Sequence, residues 1–165
     1  MMIRPLVAAD LSLIRAWMRD APQTPAWSDD DLAGLITAPE SEGQLLRRSW
    51  MTVSKGMACG FVVATALRVP GSATECEIEF VMTTPSCRRK GVARSLVGVV
   101  VEWARELSAE HIWLEVRASN HAAQRLYECC GFERVGQRPG YYAGPTEDAV
   151  LMRCRIDPGA QGGLV

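Results

Sequence analysis

The sequence lacks several features that would place a protein in a membrane or outside a reducing compartment. It has no run of about eighteen apolar residues, the length that crosses a bilayer, and no apolar N-terminal segment typical of a signal peptide. Its six cysteines form no Cys-x-x-Cys pattern and its two histidines lie in different segments, which indicates neither a disulfide framework nor a zinc site. We therefore expect a cytoplasmic protein that binds no metal and no membrane.

An excess of charge of either sign is also missing. The chain of 165 residues carries 18 basic and 19 acidic side chains, for a net charge of -1, which disfavours nucleic acid as a partner. The length suits one domain that buries about two thirds of its unfolded surface. We expect this domain to span residues 1–157 and a disordered tail to follow at 158–165, because that segment begins with proline and contains three glycines.

The pattern of apolar residues and turn signals predicts an α/β fold. Strands are predicted at 2–7, 44–53, 58–69, 74–83, 112–116, 132–136 and 149–156. Helices are predicted from Asp10 to Met18, from Ser28 to near Pro39, from about Val92 to Ala109, and at 120–130. Asp10, Ser28 and Asn120 are the predicted caps of the first, second and last of these helices. Because a helix separates strands 74–83 and 112–116, we expect these strands to be parallel, with a right-handed crossover and with ligands at their C-terminal ends.

A basic loop joins strand 74–83 to the next helix. Residues 88–94 read Arg-Arg-Lys-Gly-Val-Ala-Arg, and a strand that turns into a helix start leaves backbone N–H groups unpaired at the positive end of the helix dipole. Gly91 lets the backbone approach an anion without a Cβ, and the four basic side chains surround that position with positive charge. The pattern is neither a P-loop nor G-x-G-x-x-G. It predicts a site for the phosphate of a small ligand.

Two further segments share the pattern of one enzyme family. Residues 114–132 read Leu-Glu-Val-Arg-Ala-Ser-Asn-His-Ala-Ala-Gln-Arg-Leu-Tyr-Glu-Cys-Cys-Gly-Phe, and Tyr-Tyr at 141–142 precedes Glu-Asp-Ala-Val-Leu-Met at 147–152. Together with Arg-x-x-Gly-x-Ala at 88–93, they resemble the GCN5-related N-acetyltransferases (the GNAT superfamily), and within it the ribosomal-protein-alanine N-acetyltransferases of RimI type. The resemblance covers roughly residues 78–153.

The resemblance implies a single GNAT-type domain in which helices flank a mixed central sheet and two parallel strands splay apart. The pantetheine arm of acetyl-CoA would lie between those strands and pair with the edge of the first, while the basic loop holds the pyrophosphate. The implied coenzyme contacts are the backbone of Val81, Met82 and Thr83, the loop residues Arg89, Lys90, Gly91, Val92, Ala93 and Arg94, and Asn120.

Acetyl transfer from a thioester to an amine requires a neutral nucleophile, stabilisation of an oxyanion and protonation of the departing thiolate. Period-two alternation places Glu115 on the strand face opposite the neighbouring aliphatic residues, and the resemblance makes it the general base, acting through water. Glu77 is a rival base, because some other acetyltransferases carry theirs on the preceding strand. The resemblance makes Tyr127 the general acid, although its helical spacing equally fits a tyrosine packed in the core.

The adjacent Cys129 and Cys130 offer a different nucleophile. Direct transfer in the family needs no acyl-enzyme, and no neighbouring histidine supports one. We expect both cysteines to pack at a helix end.

The resemblance further implies that the acceptor is a protein N-terminal α-amine, most specifically the N-terminal alanine of small ribosomal subunit protein 18. An α-amine with a pKa of about 8 loses its proton at neutral pH at a cost roughly 3 kcal/mol smaller than a lysine near 10.4, which suits a single glutamate base. A small-molecule amine, a lysine side chain and a non-catalytic acyl-CoA-binding module remain alternatives. Acidic residues on the expected acceptor side predict a preference for a basic acceptor, namely Asp29, Asp30, Asp31, Glu40 and Glu42.

Overall fold

The computed structural model of the protein describes residues 1–21, 27–36 and 44–157. The strands are β1 Met2–Pro5, β2 Leu45–Ser54, β3 Met57–Leu67, β4 Thr74–Thr83, β5 Ala109–Arg117, β6 Glu133–Tyr142 and β7 Glu147–Arg155. The helices are α1 Leu11–Arg19, α2 Asp29–Ala33, α3 Val92–Glu106 and α4 His121–Cys129, and short 3-10 helices span Ala8–Asp10 and Pro85–Cys87. Within these described ranges, no helix has the length and hydropathy needed to cross a membrane.

The strands form one sheet of seven, in the order β1-β2-β3-β4-β5-β7-β6. Neighbouring strands are antiparallel except β4 and β5, which run parallel because α3 carries the chain from the end of one to the start of the other. The predictions of an α/β fold and of a parallel pair at this point in the chain are therefore confirmed.

Each face of the sheet buries its own apolar cluster. The larger cluster packs α3 against the sheet and includes Leu96 and Ile112, whereas the smaller one lies under α1 and α2 and includes Ile14 and Leu32. Strand β3 is buried on both faces, and its sequence is therefore a continuous apolar run in which polar and apolar residues do not alternate.

An extra residue interrupts the ladder between β3 and β4. Val63 pairs with Phe80 and Ala64 pairs with Ile78, so that Glu79 has no opposite residue. The extra residue reverses the alternation along β4, with Ile78 packing in the α3 cluster and Phe80 against the α1–α2 cluster. The bulge re-aims the last residues of β4 just before the basic loop.

Of the three predicted helix caps, that of the first helix is wrong. The Ser28 hydroxyl accepts a hydrogen bond from the Asp31 N–H, and the Ser28 N–H donates in return to the Asp31 carboxylate, which confirms Ser28 as the cap of α2. Asp10, in contrast, makes no cap bond to α1, because both of its carboxylate oxygens are bound by the guanidinium of Arg4 and one also accepts from the Val7 N–H.

Strand β6 is longer than the predicted 132–136 and continues to Tyr142. The sequence did not predict the second half of β6 because it contains Gly136, Pro139 and Gly140, residue types that disfavour strand interiors. β6 is an edge strand, however, and proline is tolerated there because its missing N–H needs no ladder partner.

The second helix is shorter than predicted, because it ends at Ala33 with Gly34 as its C-cap and does not continue towards Pro39. The acidic residues Glu40 and Glu42 and the predicted tail at 158–165 lie outside the described residues.

Candidate active site

Strands β4 and β5 part at their C-terminal ends. Their ladder ends at Ile78 opposite Leu114, although β4 continues to Thr83 and β5 to Arg117. The predicted splay is confirmed, and it opens a gap at the end of the sheet where the crossover argument places a ligand. The edge of β4 at this gap carries the predicted contact residues Val81, Met82 and Thr83, which pair with β3 on their other side.

The basic loop enters α3 through two left-handed residues. Arg89 has φ 57° and Gly91 has φ 79°, and α3 begins at Val92, with the Ser95 N–H bonding to the Gly91 carbonyl. The N–H groups of Val92 and Ala93 therefore precede the first helical donor and lie at the positive end of the helix dipole. A Cβ at Gly91 would meet no atom within 4 Å, so the left-handed backbone and not crowding requires glycine there.

Glu115 lies on the strand face that alternation predicts. Ile112 and Leu114 are buried against α3, and Glu115 is half-buried on the opposite face. Its Oε1 accepts a hydrogen bond from Nη1 of Arg138 at 2.5 Å. The interaction of the Tyr141 hydroxyl with this carboxylate raises the pKa of Tyr141.

Two arginines stack on the tyrosine pair of β6. The Arg138 guanidinium lies 4.4 Å from the ring centroid of Tyr141, and the Arg117 guanidinium lies 4.2 Å from that of Tyr142. Glu147 at the start of β7 holds Arg117 in turn, at 3.2 Å. Tyr141 interacts directly with the carboxylate of Glu115, and the charge of this carboxylate also acts on Tyr142, an arrangement that the sequence did not reveal.

The rival base Glu77 lies on β4, close to Glu115 on the neighbouring strand. It pairs with Trp113 in the β4–β5 register, two residues before Glu115. Partial burial, then the negative charges of Glu115 and Glu79, raise the pKa of Glu77. The two candidate bases are electrostatic neighbours at one opening, and Arg138 contacts Glu115 directly.

Tyr127 is buried in the α3 cluster, 5.8 Å from the ring of Phe132. Ala123, Leu126 and Cys130 pack against the same cluster, as the helical spacing predicts. Burial raises the pKa of Tyr127, which keeps the phenol protonated at neutral pH.

The remaining predicted residues lie around α4. Asn120 caps this helix, its Oδ1 accepting from the Ala123 N–H at 3.1 Å. Of the two adjacent cysteines, Cys130 packs at the helix end as expected, whereas Cys129 is exposed, so its predicted packing is wrong. Buried Gln124, which no pattern in the sequence indicates, donates to the carbonyls of residues 117 and 118 and joins α4 to the end of β5.

The site combines a parallel strand pair that parts, a basic loop with a glycine at a helix start, and a carboxylate at the opening. This combination is typical of the acetyltransferases that the motifs resemble, and a comparison with protein-family models agrees. The model of the Acetyltransferase (GNAT) family matches residues 11–132. The chain belongs to this family, which confirms the resemblance in the motifs.

Particular relatives narrow the comparison. The chain is 40% identical over 76 residues to the [ribosomal protein bS18]-alanine N-acetyltransferase of Escherichia coli K12, a match that covers 44% of this chain and 50% of the relative. The match thus spans about half the length of this relative and of a Bacillus subtilis relative, and 21% of an uncharacterized Mycobacterium leprae protein.

Solved structures match over nearly the whole chain. The crystal structure of the Escherichia coli ribosomal-protein-S18-alanine N-acetyltransferase has a TM-score of 0.73 and 26% identity, covering 99% of this chain and 97% of that chain. Arabidopsis thaliana NAA60 in complex with acetyl-CoA has a TM-score of 0.80 and 22% identity, covering 94% and 99%. The second likeness concerns the fold alone.

Proposed function

We propose that this chain transfers acetyl from acetyl-CoA to a protein N-terminal α-amine, and that its acceptor is the N-terminal alanine of a small-subunit ribosomal protein. The observation that carries the proposal is the position of the Glu115 carboxylate, beside Tyr141 at the gap between β4 and β5. The names of the Escherichia coli relatives support the choice of acceptor.

The residues around the gap fit the parts of acetyl-CoA. The exposed side chains of Arg89 and Lys90 and the first N–H groups of α3 suit the pyrophosphate, and Gly91 leaves open space in front of them. The free edge of β4 at residues 81–83 supplies backbone donors and acceptors for an extended amide-containing arm. Asn120 retains its side-chain N–H₂ for the coenzyme, since only its oxygen is engaged in the cap.

Glu115 acts as the general base in this proposal. Its half-buried carboxylate takes the proton of the acceptor ammonium through a water molecule, so that a neutral amine attacks the thioester carbonyl. A peptide α-amine suits this base, because it gives up its proton about 3 kcal/mol more readily than a lysine does. Arg138 holds the carboxylate in one orientation at the opening.

Tyr127 acts as the general acid. The phenol carries its proton at neutral pH, as an ordinary tyrosine does, and burial raises its pKa further. The acceptor of that proton is the departing coenzyme thiolate, whose conjugate thiol has a pKa of about 8.5. The transfer is direct, and the cysteines of α4 take no part in it.

The experiment is acetylation of a defined panel, followed by mass spectrometry. Wild-type protein and E115Q are incubated with acetyl-CoA and an Ala-initiated peptide, the same peptide with a blocked N-terminus and a free lysine, and a polyamine. Acetylation of the free α-amine only, and only by the wild type, supports the proposal. Turnover on lysine or polyamine instead refutes the N-terminal assignment and keeps the enzyme class, and turnover on no amine indicates a non-catalytic acyl-CoA-binding module.

A further inference from the structure

Two buried cysteines meet beneath the basic loop. Cys59 lies near the start of β3, and Cys87 ends the 3-10 helix that leads into residues 88–91. Their Sγ atoms are 2.7 Å apart, and the residues are 2% and 8% exposed. Neither residue belongs to the acetyl-transfer site described above.

Backbone contacts hold this pair together. The Thr84 N–H donates to the Cys59 carbonyl at 2.9 Å, and the Thr84 hydroxyl donates to the same oxygen at 3.3 Å. Gly60 and Thr83 are opposite in the β3–β4 ladder. The two sulfur atoms therefore meet because the chain segments that carry them are paired, and a bond of about 2.05 Å needs only a small further approach.

The two thiols are chemically unequal. The hydrogen bond between the two thiols lowers the pKa of Cys87 and raises that of Cys59. Hydrogen bonds with Thr84 and Ser86 and the charge of Lys90 also lower the pKa of Cys87. Burial raises the pKa of Cys76, Cys130 and Cys154. Because the thiolate is the reactive form, Cys87 is the residue of the pair that reacts first.

We propose that Cys59 and Cys87 form an oxidative modification site, at which a peroxide converts the two thiols into an intramolecular disulfide. The Cys87 thiolate attacks one peroxide oxygen, the O–O bond breaks, and a sulfenic acid forms with release of hydroxide. The Cys59 thiol then attacks the Cys87 sulfur, the S–O bond breaks, and the second oxygen leaves as water once the thiol proton is transferred. Two thiols are oxidised, hydrogen peroxide is reduced to two waters, and β3 becomes covalently tied to the segment that begins the basic loop.

The test uses the full chain and hydrogen peroxide. After brief oxidation of the folded protein, the remaining thiols are alkylated in denaturant, and the proposal expects two fewer alkylated cysteines than in the reduced protein. Trypsin cuts after Lys55, Arg68 and Arg88, so Cys59 lies in peptide 56–68 and Cys87 in peptide 69–88. The expected product is a disulfide between these two peptides that a reductant abolishes.

Peptide 69–88 also contains Cys76, so a matched variant is needed to distinguish a crosslink at Cys76 from one at Cys87. C76S must retain the crosslink, while C87S and C59S must lose it; the wild-type measurement stands if one of these variants fails to fold. A crosslink at Cys76, a Cys129–Cys130 bridge as the main product, or stable oxygen addition to Cys87 without a crosslink each overturns the proposal. Oxidation of urea-unfolded protein, in which the pairing is lost, must form the 59–87 link at least about tenfold more slowly.

Discussion

Arg138 donates a hydrogen bond through Nη1 to Oε1 of Glu115 at 2.5 Å, and its guanidinium lies 4.4 Å from the ring centroid of Tyr141. The side chain of Arg138 is 57% exposed, whereas that of Glu115 is 15% exposed. An ion pair with so exposed a partner contributes little to the free energy of unfolding. Its effect is instead local, because it fixes the carboxylate and the tyrosine at one opening.

We expect R138A to lower kcat/KM for an Ala-initiated peptide by about tenfold, with a change of less than about 0.5 kcal/mol in the free energy of unfolding. R138K keeps the positive charge but loses the planar stacking, so its activity should lie between those of the wild type and R138A. The matched control is R134A, which removes an exposed arginine of the same strand that pairs with Glu128. Equal loss in the two alanine variants would contradict a role for Arg138 at the site.

Replacement of each candidate base separates the two carboxylates. E115Q should lower kcat by about 10²- to 10⁴-fold, the range of general-base catalysis, and leave acetyl-CoA affinity nearly unchanged. E77Q should lower kcat only a fewfold, because it removes a neighbouring negative charge and not the base. Steady-state kinetics and calorimetry measure both effects, and an inactive E77Q beside an active E115Q would move the base to β4.

Removal of the Tyr127 hydroxyl tests the proton donor. Y127F keeps the ring that packs against Phe132, so the melting temperature should change little, while turnover falls by about 10²-fold or more for loss of a general acid. An acetyl donor with a more acidic thiol leaving group needs less protonation and should restore much of the lost rate. A rate deficit that is the same for both donors would assign Tyr127 to packing alone.

Two glycines of like backbone conformation give a controlled test of the coenzyme loop. Gly91 has φ 79° and Gly71 has φ 81°, and a Cβ at either position meets nothing within 4 Å. G91D and G71D therefore carry similar backbone strain, but only G91D adds negative charge at the start of α3. Calorimetric titration should show acetyl-CoA affinity reduced at least about tenfold in G91D and unchanged in G71D. Similar affinities for the two variants would remove the pyrophosphate from this loop.

The parts of the site that could be predicted from the sequence are those fixed by local geometry. The face of Glu115 follows from period-two alternation with Ile112 and Leu114. The loop follows from the glycine and basic residues at a helix start, and Asn120 from its position before α4. Each depends on residues within one turn or one strand.

The tertiary contacts could not be read in this way. Arg138 lies 23 residues from Glu115, on a strand whose glycines and proline resemble a loop, and the ladder of β6 with β7 is irregular between Arg138 and Tyr142. Asp10 preceded a helical pattern and had the residue type of a cap, but its pairing with Arg4 prevailed because a bidentate contact with a guanidinium is stronger than a single bond from a backbone N–H.

The pairing of Asp10 with Arg4 predicts a pH dependence of stability. Both guanidinium contacts measure 2.7 Å, and the hydrogen bond from Arg4, then that from the Val7 N–H, lowers the pKa of Asp10 below its ordinary value of 3.8. As the pH falls, the unfolded chain therefore binds a proton at this carboxyl at a higher pH than the folded chain does. The stabilisation is complete above the ordinary pKa and is lost as pH falls through it towards the folded value.

We expect D10N to reduce the free energy of unfolding by about 1–3 kcal/mol at neutral pH, since it removes the charge of a mostly buried partner of Arg4. At about pH 3 the difference between D10N and the wild type should shrink, because the wild-type carboxyl then loses part of its own stabilisation. Urea unfolding at the two pH values measures both differences, and D20N, at the exposed C-cap position of α1, is the matched control. A D10N deficit that stays constant between the two pH values would show that the loss comes from packing and not from the charge of Asp10.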